Sequence, residues 1–291
     1  MVHVRHFIHL ARPHQYIKNI FVLMPLFFAG EFDQPHLVIP TLLAFSAFCF
    51  LASGVYVLND LFDIQEDRIH PEKKNRPLAS GQVSRNQAVV LSAFLSLSGL
   101  SVLALVSLDA LMVSALYLVI NIGYSVRLKE IPLLDVIIIA TGFALRLFVG
   151  SFVADIPLSQ WIVVTTFLLA LFLALAKRRD DLVICSHTGT SVRIASKGYN
   201  LEMLNSAITL LAACSIVAYL QYTVSSEVTT RLGSDHVYLT TLFVILGILR
   251  YLQITFVFEK SGSPTQVLLS DRFTQLNLLC WVLVFGVLLY S

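Results

Sequence analysis

The chain has 291 residues, 57% of them hydrophobic and only 13% charged, with a formal net charge of +2. A mean hydropathy of +0.79 excludes a soluble globular domain and implies a polytopic membrane protein. So small a net charge says little about partners by itself; membrane lipids are expected, and nucleic acid is not. Apolar runs long enough to span a bilayer, or nearly so, lie at about 17–30, 37–58, 87–106, 108–124, 133–153, 158–176, 205–223, 237–256 and 276–290. An all-α fold of nine transmembrane helices is predicted, in a single domain over 1–291. The first run contains Pro25, and the last is near the lower length limit of about 17 residues. Charged and histidine-rich residues open the chain without a short apolar region and cleavage site, so the first span is expected to be retained. Cys49, Cys214 and Cys280 fall in spans and Cys185 in a loop, which offers neither a disulfide framework nor a CxxC metal signature.

Basic residues accumulate in cytoplasmic loops, and on this map they are very unevenly divided. The N-terminal arm and the even-numbered connections carry all of the Lys and Arg except Arg231 on the opposite side and Arg146 and Arg250 within spans. The basic side is expected to be the cytoplasm, with the N-terminus inside and the C-terminus outside. Long charged segments at about 59–86 and 177–203 therefore share that face and read as two halves of one site.

In chain order, Arg12-Pro13-His14-Gln15-Tyr16-Ile17-Lys18-Asn19 introduces the first span with two cations and two amides. After the second span comes Asn59-Asp60-Leu61-Phe62-Asp63-Ile64-Gln65-Glu66-Asp67. If this segment stays helical, at about 100° per residue Asp60, Asp63 and Asp67 fall within roughly 60° of one another. Three carboxylates on one face repel and ask for a cation, and hard oxygen ligands of this kind suit Mg²⁺ carrying a substrate diphosphate. The bland alternative is a solvated helix end paired with Lys73, Lys74 and Arg76. Proline and glycine in Arg76-Pro77-Leu78-Ala79-Ser80-Gly81 then predict a turn before the third span.

Tyr124, Arg127, Lys129 and Asp135 place a phenol, two cations and an acid between the fourth and fifth spans, although Tyr124 also suits an interfacial aromatic belt. Arg146 is costly inside the fifth span, where an arginine near the helix centre costs about 2.5–3.5 kcal/mol. It either faces a wet cavity, on nearly the same face as Asp135, or snorkels to the outer interface. Arg250, nearer a helix end, snorkels easily. Lys177, Asp180 and Asp181 share a helical face, as a local salt bridge or as a site in which Lys177 and Arg178 hold phosphate and an aspartate joins a metal shell. The histidines lack metal-ligand spacing.

These motifs resemble the UbiA-type intramembrane prenyltransferase superfamily across essentially the whole chain. Asn59-Asp60-x-x-Asp63-x-x-x-Asp67 after a second helix, Tyr124-Ser125 with Lys129 after a fourth, and the acidic cluster after a sixth carry the likeness. Within it the chain is most similar to the decaprenyl-phosphate phosphoribosyltransferases. Arg12-Pro-x-Gln-x-x-Lys18-Asn19, Asp67-Arg68-x-His70-Pro71-x-Lys73-x-x-Arg76-Pro77, Gly142-Phe143-x-x-Arg146, Ile156 to Trp161 and Lys177-Arg178 carry that finer likeness. Leu249-Arg250-Tyr251 and Asp271-Arg272-x-x-Gln275 extend it to the C-terminus. The resemblance implies nine helices around a central cavity open to the cytoplasm, with aspartate motifs that bind Mg²⁺ and diphosphate. One departure stands out: the second motif is preceded by lysine and arginine, which suits a substrate pair with extra phosphate.

The expected activity is Mg²⁺-dependent transfer of 5-phosphoribosyl from phosphoribosyl diphosphate to a polyprenyl, decaprenyl-like, phosphate in a bacterial inner membrane, for envelope polysaccharide precursors. Asp60, Asp63 and Asp67 are the expected metal ligands, with Asp181 as an additional donor. Lys177 is expected to act in catalysis, and Lys18, Asn19, Asn59, Lys73, Arg76, Tyr124, Lys129, Arg146 and Arg178 to bind substrate phosphates. The acceptor phosphate is already ionised, so no strong base is required. The rival reading keeps the fold and transfers a prenyl group from a prenyl diphosphate. An anion transporter fits less well, because alternating access needs polar groups on both faces. Oligomeric state is left open.

Overall fold

The computed structural model describes residues 2–69, 73–188, 198–259 and 261–290, with the side chains of 2, 3, 187, 188 and 290 excepted. His70, Pro71, Arg193, Lys197 and Lys260 lie outside the described residues. In chain order the α-helices are α1 (Val2–Ala11), α2 (Met24–Ala29), α3 (Pro35–Phe62), α4 (Ile64–Ile69), α5 (Arg85–Val106), α6 (Leu108–Val126), α7 (Leu134–Ala154), α8 (Gln160–Thr188), α9 (Leu201–Val224), α10 (Ser226–Leu232), α11 (Thr241–Phe256), α12 (Pro264–Ser270) and α13 (Arg272–Tyr290). The described residues contain no strand, and eight of their helical segments are long and apolar enough to cross a membrane.

The run at 17–30 is built differently from the expected single helix. Pro13–Val22 is a 3-10 helix and Met24–Ala29 a short α-helix, with Leu23 between them. A 3-10 helix rises about 2.0 Å per residue against about 1.5 Å for an α-helix, so the two pieces together reach roughly 29 Å. Their neighbours show the direction. Arg12 meets Asp60, the Ser53 hydroxyl lies between the Ala11 carbonyl and the Tyr16 phenol, Asn19 meets Cys49, and Val22 packs with Ala44, Ala47 and Phe48. The segment thus runs antiparallel to α3 and returns the chain along its length. Gly150 permits the close approach at its far end, where a Cβ would overlap the Val22 carbonyl.

Two compact units are built, one from residues 1–26, 32–131 and 145–157, the other from 27–31, 132–144 and 158–291. In the first, α3 and α5 pack through small residues. A Cβ on Gly54 would lie 2.9 Å from the Ser92 carbonyl, and one on Gly99 would meet the Ala47 carbonyl at 2.5 Å. Ser92 Oγ donates to the Gly54 carbonyl at 2.8 Å, the close small-residue packing that apolar solvent favours. Ser84 and Gln87 form a capping box that starts α5, and Ser107 both ends α5 and caps α6.

The second unit rests on the α8–α9 pair and on an aromatic cluster of Phe27, Phe28, Tyr222, Trp281 and Phe285. Two of its buried hydroxyls satisfy each other: Trp281 Nε1 donates to Tyr219 Oη at 2.8 Å, and that phenol shares a hydrogen bond with Thr240. Helix α8 continues well beyond the run expected at 158–176, so Lys177, Arg178, Arg179, Asp180 and Asp181 stand on a helix rather than in a loop.

Candidate functional site

Asp60 lies in the last turn of α3, Asp63 is the residue after it, and Asp67 is in α4. The helix bends at Asp63 (φ −85°, ψ 1°), yet the ladder continues, with Asp63 N–H donating to the Asn59 carbonyl and Asp67 N–H to the Asp63 carbonyl. The shared face expected from spacing is therefore kept. All three aspartates are buried.

Their repulsion is offset by cations of the chain itself. Arg76 Nη1 donates to Asp60 Oδ1 at 3.0 Å and to Asp67 Oδ2 at 2.7 Å, which brings those two oxygens within twice a hydrogen-bond length of each other. Arg12 Nη2 donates to Asp60 Oδ1 at 2.5 Å. Lys129 Nζ donates to Asp63 Oδ1, and Asn59 Nδ2 donates to the other oxygen at 2.8 Å. Ser125 Oγ donates to Asn59 Oδ1 at 3.4 Å, tying α6 to this group. Arg76 is placed by the expected turn: Pro77, Leu78 and Ala79 are buried, Gly81 takes a left-handed φ of 77°, and Arg68 Nε donates to the Ala79 carbonyl.

The donor set fits Mg²⁺ in kind, since it consists of hard carboxylate oxygens flanked by an amide. Among the described residues no three acidic, histidine or cysteine side chains are already gathered around one metal position. The carboxylates are instead engaged one by one with guanidinium and ammonium groups, and of these only Arg76 bridges two.

Arg146 is buried in the same unit. Its Nε donates to Asn19 Oδ1 at 2.9 Å, Nη2 reaches Tyr117 Oη at 3.2 Å, and the guanidinium lies 5.0 Å from the centroids of both Phe48 and Tyr117. It does not snorkel: its place is an aromatic and amide cage, where cation–π attraction replaces part of its lost hydration. Of the remaining expected residues here, Lys18, Lys73 and Tyr124 are half-buried.

In the second unit Asp135 is fully buried and accepts two hydrogen bonds. It accepts from Arg178 Nε at 2.6 Å and from Tyr199 Oη at 2.6 Å. That phenol oxygen in turn accepts from Leu133 N–H at 2.7 Å, holding Leu133 in a left-handed conformation with φ 68°. Burial and the Asp135 hydrogen bond push the Tyr199 phenol above its ordinary pKa, so it stays a proton donor. Arg178 also reaches Asp181 Oδ2 at 3.1 Å.

Asp135, which the spacing sets on nearly the same helical face as Arg146, pairs with Arg178, and Arg178 stands within a buried clamp. Lys177 beside it is exposed. Arg179 donates to Asn205 and to the Thr255 carbonyl, while Asp180 accepts from Ser261 Oγ at 2.8 Å. Asp180 therefore anchors the segment after α11, and Asp181 is the more accessible aspartate of the two.

Sequence reasoning missed Arg12, Tyr117 and Tyr199 as site members. Arg12 carried a signal in the Arg-Pro-x-Gln motif, and the structure adds a second: a left-handed φ of 54° at a residue that is not glycine.

The chain matches the UbiA prenyltransferase family over residues 19–266. Decaprenyl-phosphate phosphoribosyltransferase from Mycolicibacterium smegmatis is 32% identical, over 96% of this chain and 91% of its own length. The protein of the same name from Corynebacterium glutamicum is 33% identical, over 93% and 82% respectively. A UbiA homolog from Archaeoglobus fulgidus, solved with GPP and Mg²⁺ bound, shares the fold with a TM-score of 0.71 at 19% identity, covering 98% of this chain and 100% of its own. Eight long apolar helices among the described residues, an aspartate motif held on one helical face and a family match across most of its length place the chain in the UbiA prenyltransferase family of membrane transferases.

Proposed function

We propose that the protein transfers 5-phosphoribosyl from phosphoribosyl diphosphate to a polyprenyl phosphate. The C1–O bond to diphosphate breaks, a C1–O bond to the lipid phosphate forms, and diphosphate leaves. The observation that carries this reading is the mosaic of three buried aspartates paired with three cations in a chain about one-third identical, nearly end to end, to two enzymes named for that activity. Asp60, Asp63 and Asp67 would hold Mg²⁺, with Asp181 a further donor in the second motif. When bound, Mg²⁺ supplies neutralisation of the charge that grows on the leaving diphosphate.

Asn59 fixes Asp63 by its amide hydrogen bond and keeps that carboxylate oriented. Lys18, Lys73, Arg76, Tyr124 and Lys129 are proposed to meet phosphate oxygens, with Asn19 and Arg146 fixing the wall of the first unit. Lys177 meets a phosphate in the second motif, and Arg178 holds its helix. The acceptor phosphate attacks as an anion, so the chain needs to exclude water and orient two phosphates more than it needs a general base.

The membrane is proposed to be a bacterial inner membrane, with the N-terminus and both aspartate-bearing motifs facing the cytoplasm and the C-terminus outside, as the distribution of basic residues suggests. Membranes supplied with polyprenyl phosphate and either labelled phosphoribosyl diphosphate or a labelled prenyl diphosphate test the proposal. Label entering lipid from the first donor alone is expected. Consumption of the second donor with an aromatic acceptor, and none of the first, would replace this reading with prenyl transfer.

A further inference from the structure

Asp60, Asp63 and Asp67 face Arg12, Arg76 and Lys129, so the set is neutral as it stands. A divalent ion entering as the sole new charge would leave it at plus two among carboxylates that are almost wholly buried, which desolvation opposes. It would also have to displace a cation wherever it takes Asp60 Oδ1, Asp63 Oδ1 or Asp67 Oδ2. A diphosphate arriving with the ion removes both obstacles, because it brings negative charge and offers the displaced cations new oxygens.

The arginines are suited to such an exchange. Their side chains are 20% and 26% exposed, whereas the carboxylates they hold are 2% and 4% exposed, so the guanidinium groups can turn while the acids stay. Arg12 also lies 5.5 Å from the Tyr56 ring centroid and sits on left-handed backbone at the junction of α1 and the 3-10 helix. Backbone of this kind persists where the surroundings hold it, and commonly at ligand clamps.

We propose that Arg12, Arg76 and Lys129 are exchangeable counter-ions, which neutralise the aspartates and pass their hydrogen bonds to phosphate oxygens when a divalent ion and a diphosphate enter together. The inference rests on the proposed diphosphate site and adds two things to it. Metal and diphosphate bind with strong positive coupling, and Arg12 is a phosphate-positioning residue.

The test is equilibrium dialysis of the purified full-length protein against radioactive Mn²⁺, with and without inorganic diphosphate, reading protein-bound metal. In the wild type, Mn²⁺ with diphosphate should bind at least about a hundredfold more tightly than Mn²⁺ alone. Arg12→Gln makes the set net negative. A unit charge about 5 Å away at an effective dielectric near 20 is worth well over a factor of ten. The variant should therefore bind Mn²⁺ alone at least about tenfold more tightly than the wild type, and the Mn²⁺–diphosphate pair at least about tenfold more weakly. Arg76→Lys keeps the charge and should leave binding of Mn²⁺ alone near the wild-type value. If Arg12→Gln does not fold, Lys129→Met gives the same reading.

Equal Mn²⁺ affinity with and without diphosphate in the wild type, or no tightening for Mn²⁺ alone in the charge-removing variants, overturns the exchange while leaving the diphosphate site standing. Absence of protein-bound Mn²⁺ even with diphosphate overturns the diphosphate site itself, and the exchange with it.

Discussion

Replacing Arg178 by Gln tests whether the second motif is a clamp before it is a binding surface. Asp135 has no solvent exposure and accepts hydrogen bonds from Arg178 and Tyr199. Deleting the guanidinium leaves a buried carboxylate with a phenol as its remaining partner of the two. Breaking a buried ion pair from one side costs about 3–5 kcal/mol, whereas an exposed pair is worth about 0–1. A lost charge-assisted contact to substrate phosphate would cost about 1.5–3 kcal/mol in binding and nothing in folding. Denaturant unfolding of the detergent-solubilised protein should therefore show Arg178→Gln destabilised by about 3–5 kcal/mol. Adding Asp135→Asn should recover much of that, because it removes the uncompensated charge. A single variant within about 1 kcal/mol of wild type, or a double variant weaker than the single, would refute the clamp. Near-native stability with a raised KM for phosphoribosyl diphosphate would return Arg178 to the phosphate site.

Asp63→Asn should lower turnover by at least about two orders of magnitude, the scale of removing a principal charge-stabilising group, and EDTA should abolish wild-type turnover until Mg²⁺ is restored. Cysteine probes in a cysteine-free background should react from the cytoplasm at 74 and 177 and from outside at 31 and 230; reaction at 31 from the cytoplasm would show that 13–29 does not cross. Asp271 is held below the usual carboxylate range chiefly by its hydrogen bonds to Arg250, and it accepts from Thr274 N–H at the start of α13. A depressed folded pKa gives stability that is present above the unfolded value of about 3.9 and is lost as pH falls toward the folded one. Asp271→Asn should accordingly flatten the fall in unfolding midpoint below about pH 4.

Helical periodicity alone placed Asp60, Asp63 and Asp67 on one face, and it held because the hydrogen-bond ladder passes through the bend at Asp63. Arg76, close in sequence and next to a Pro-Gly turn, was legible as a partner for the same reason. Arg12 and Lys129 were not: they reach Asp60 and Asp63 across 48 and 66 residues, and spacing carries no information at that range. Asp135 and Arg146 show how little a shared face says about pairing. Eleven residues return to nearly the same helical face but rise about 16 Å, too far for an ion pair, and burial of Asp135 is satisfied by Arg178 from α8. Hydropathy found the run at 17–30 but not its form, since an apolar run reports what it faces and not its rise per residue. Charge marked the end of the apolar run at 176 and put Lys177 to Asp181 in the segment after the span, while the helical face read for Lys177, Asp180 and Asp181 is kept because the helix itself goes on.

The most direct test of the central claim is a turnover experiment on the purified protein with doubly labelled phosphoribosyl diphosphate, ¹⁴C in the ribose and ³²P at the terminal phosphate, together with Mg²⁺ and polyprenyl phosphate. The expected result is ¹⁴C in the lipid fraction and ³²P in free diphosphate in equal amounts, both dependent on the lipid. Release of ³²P with no ¹⁴C in lipid, or no release beside active consumption of a prenyl diphosphate, would contradict phosphoribosyl transfer.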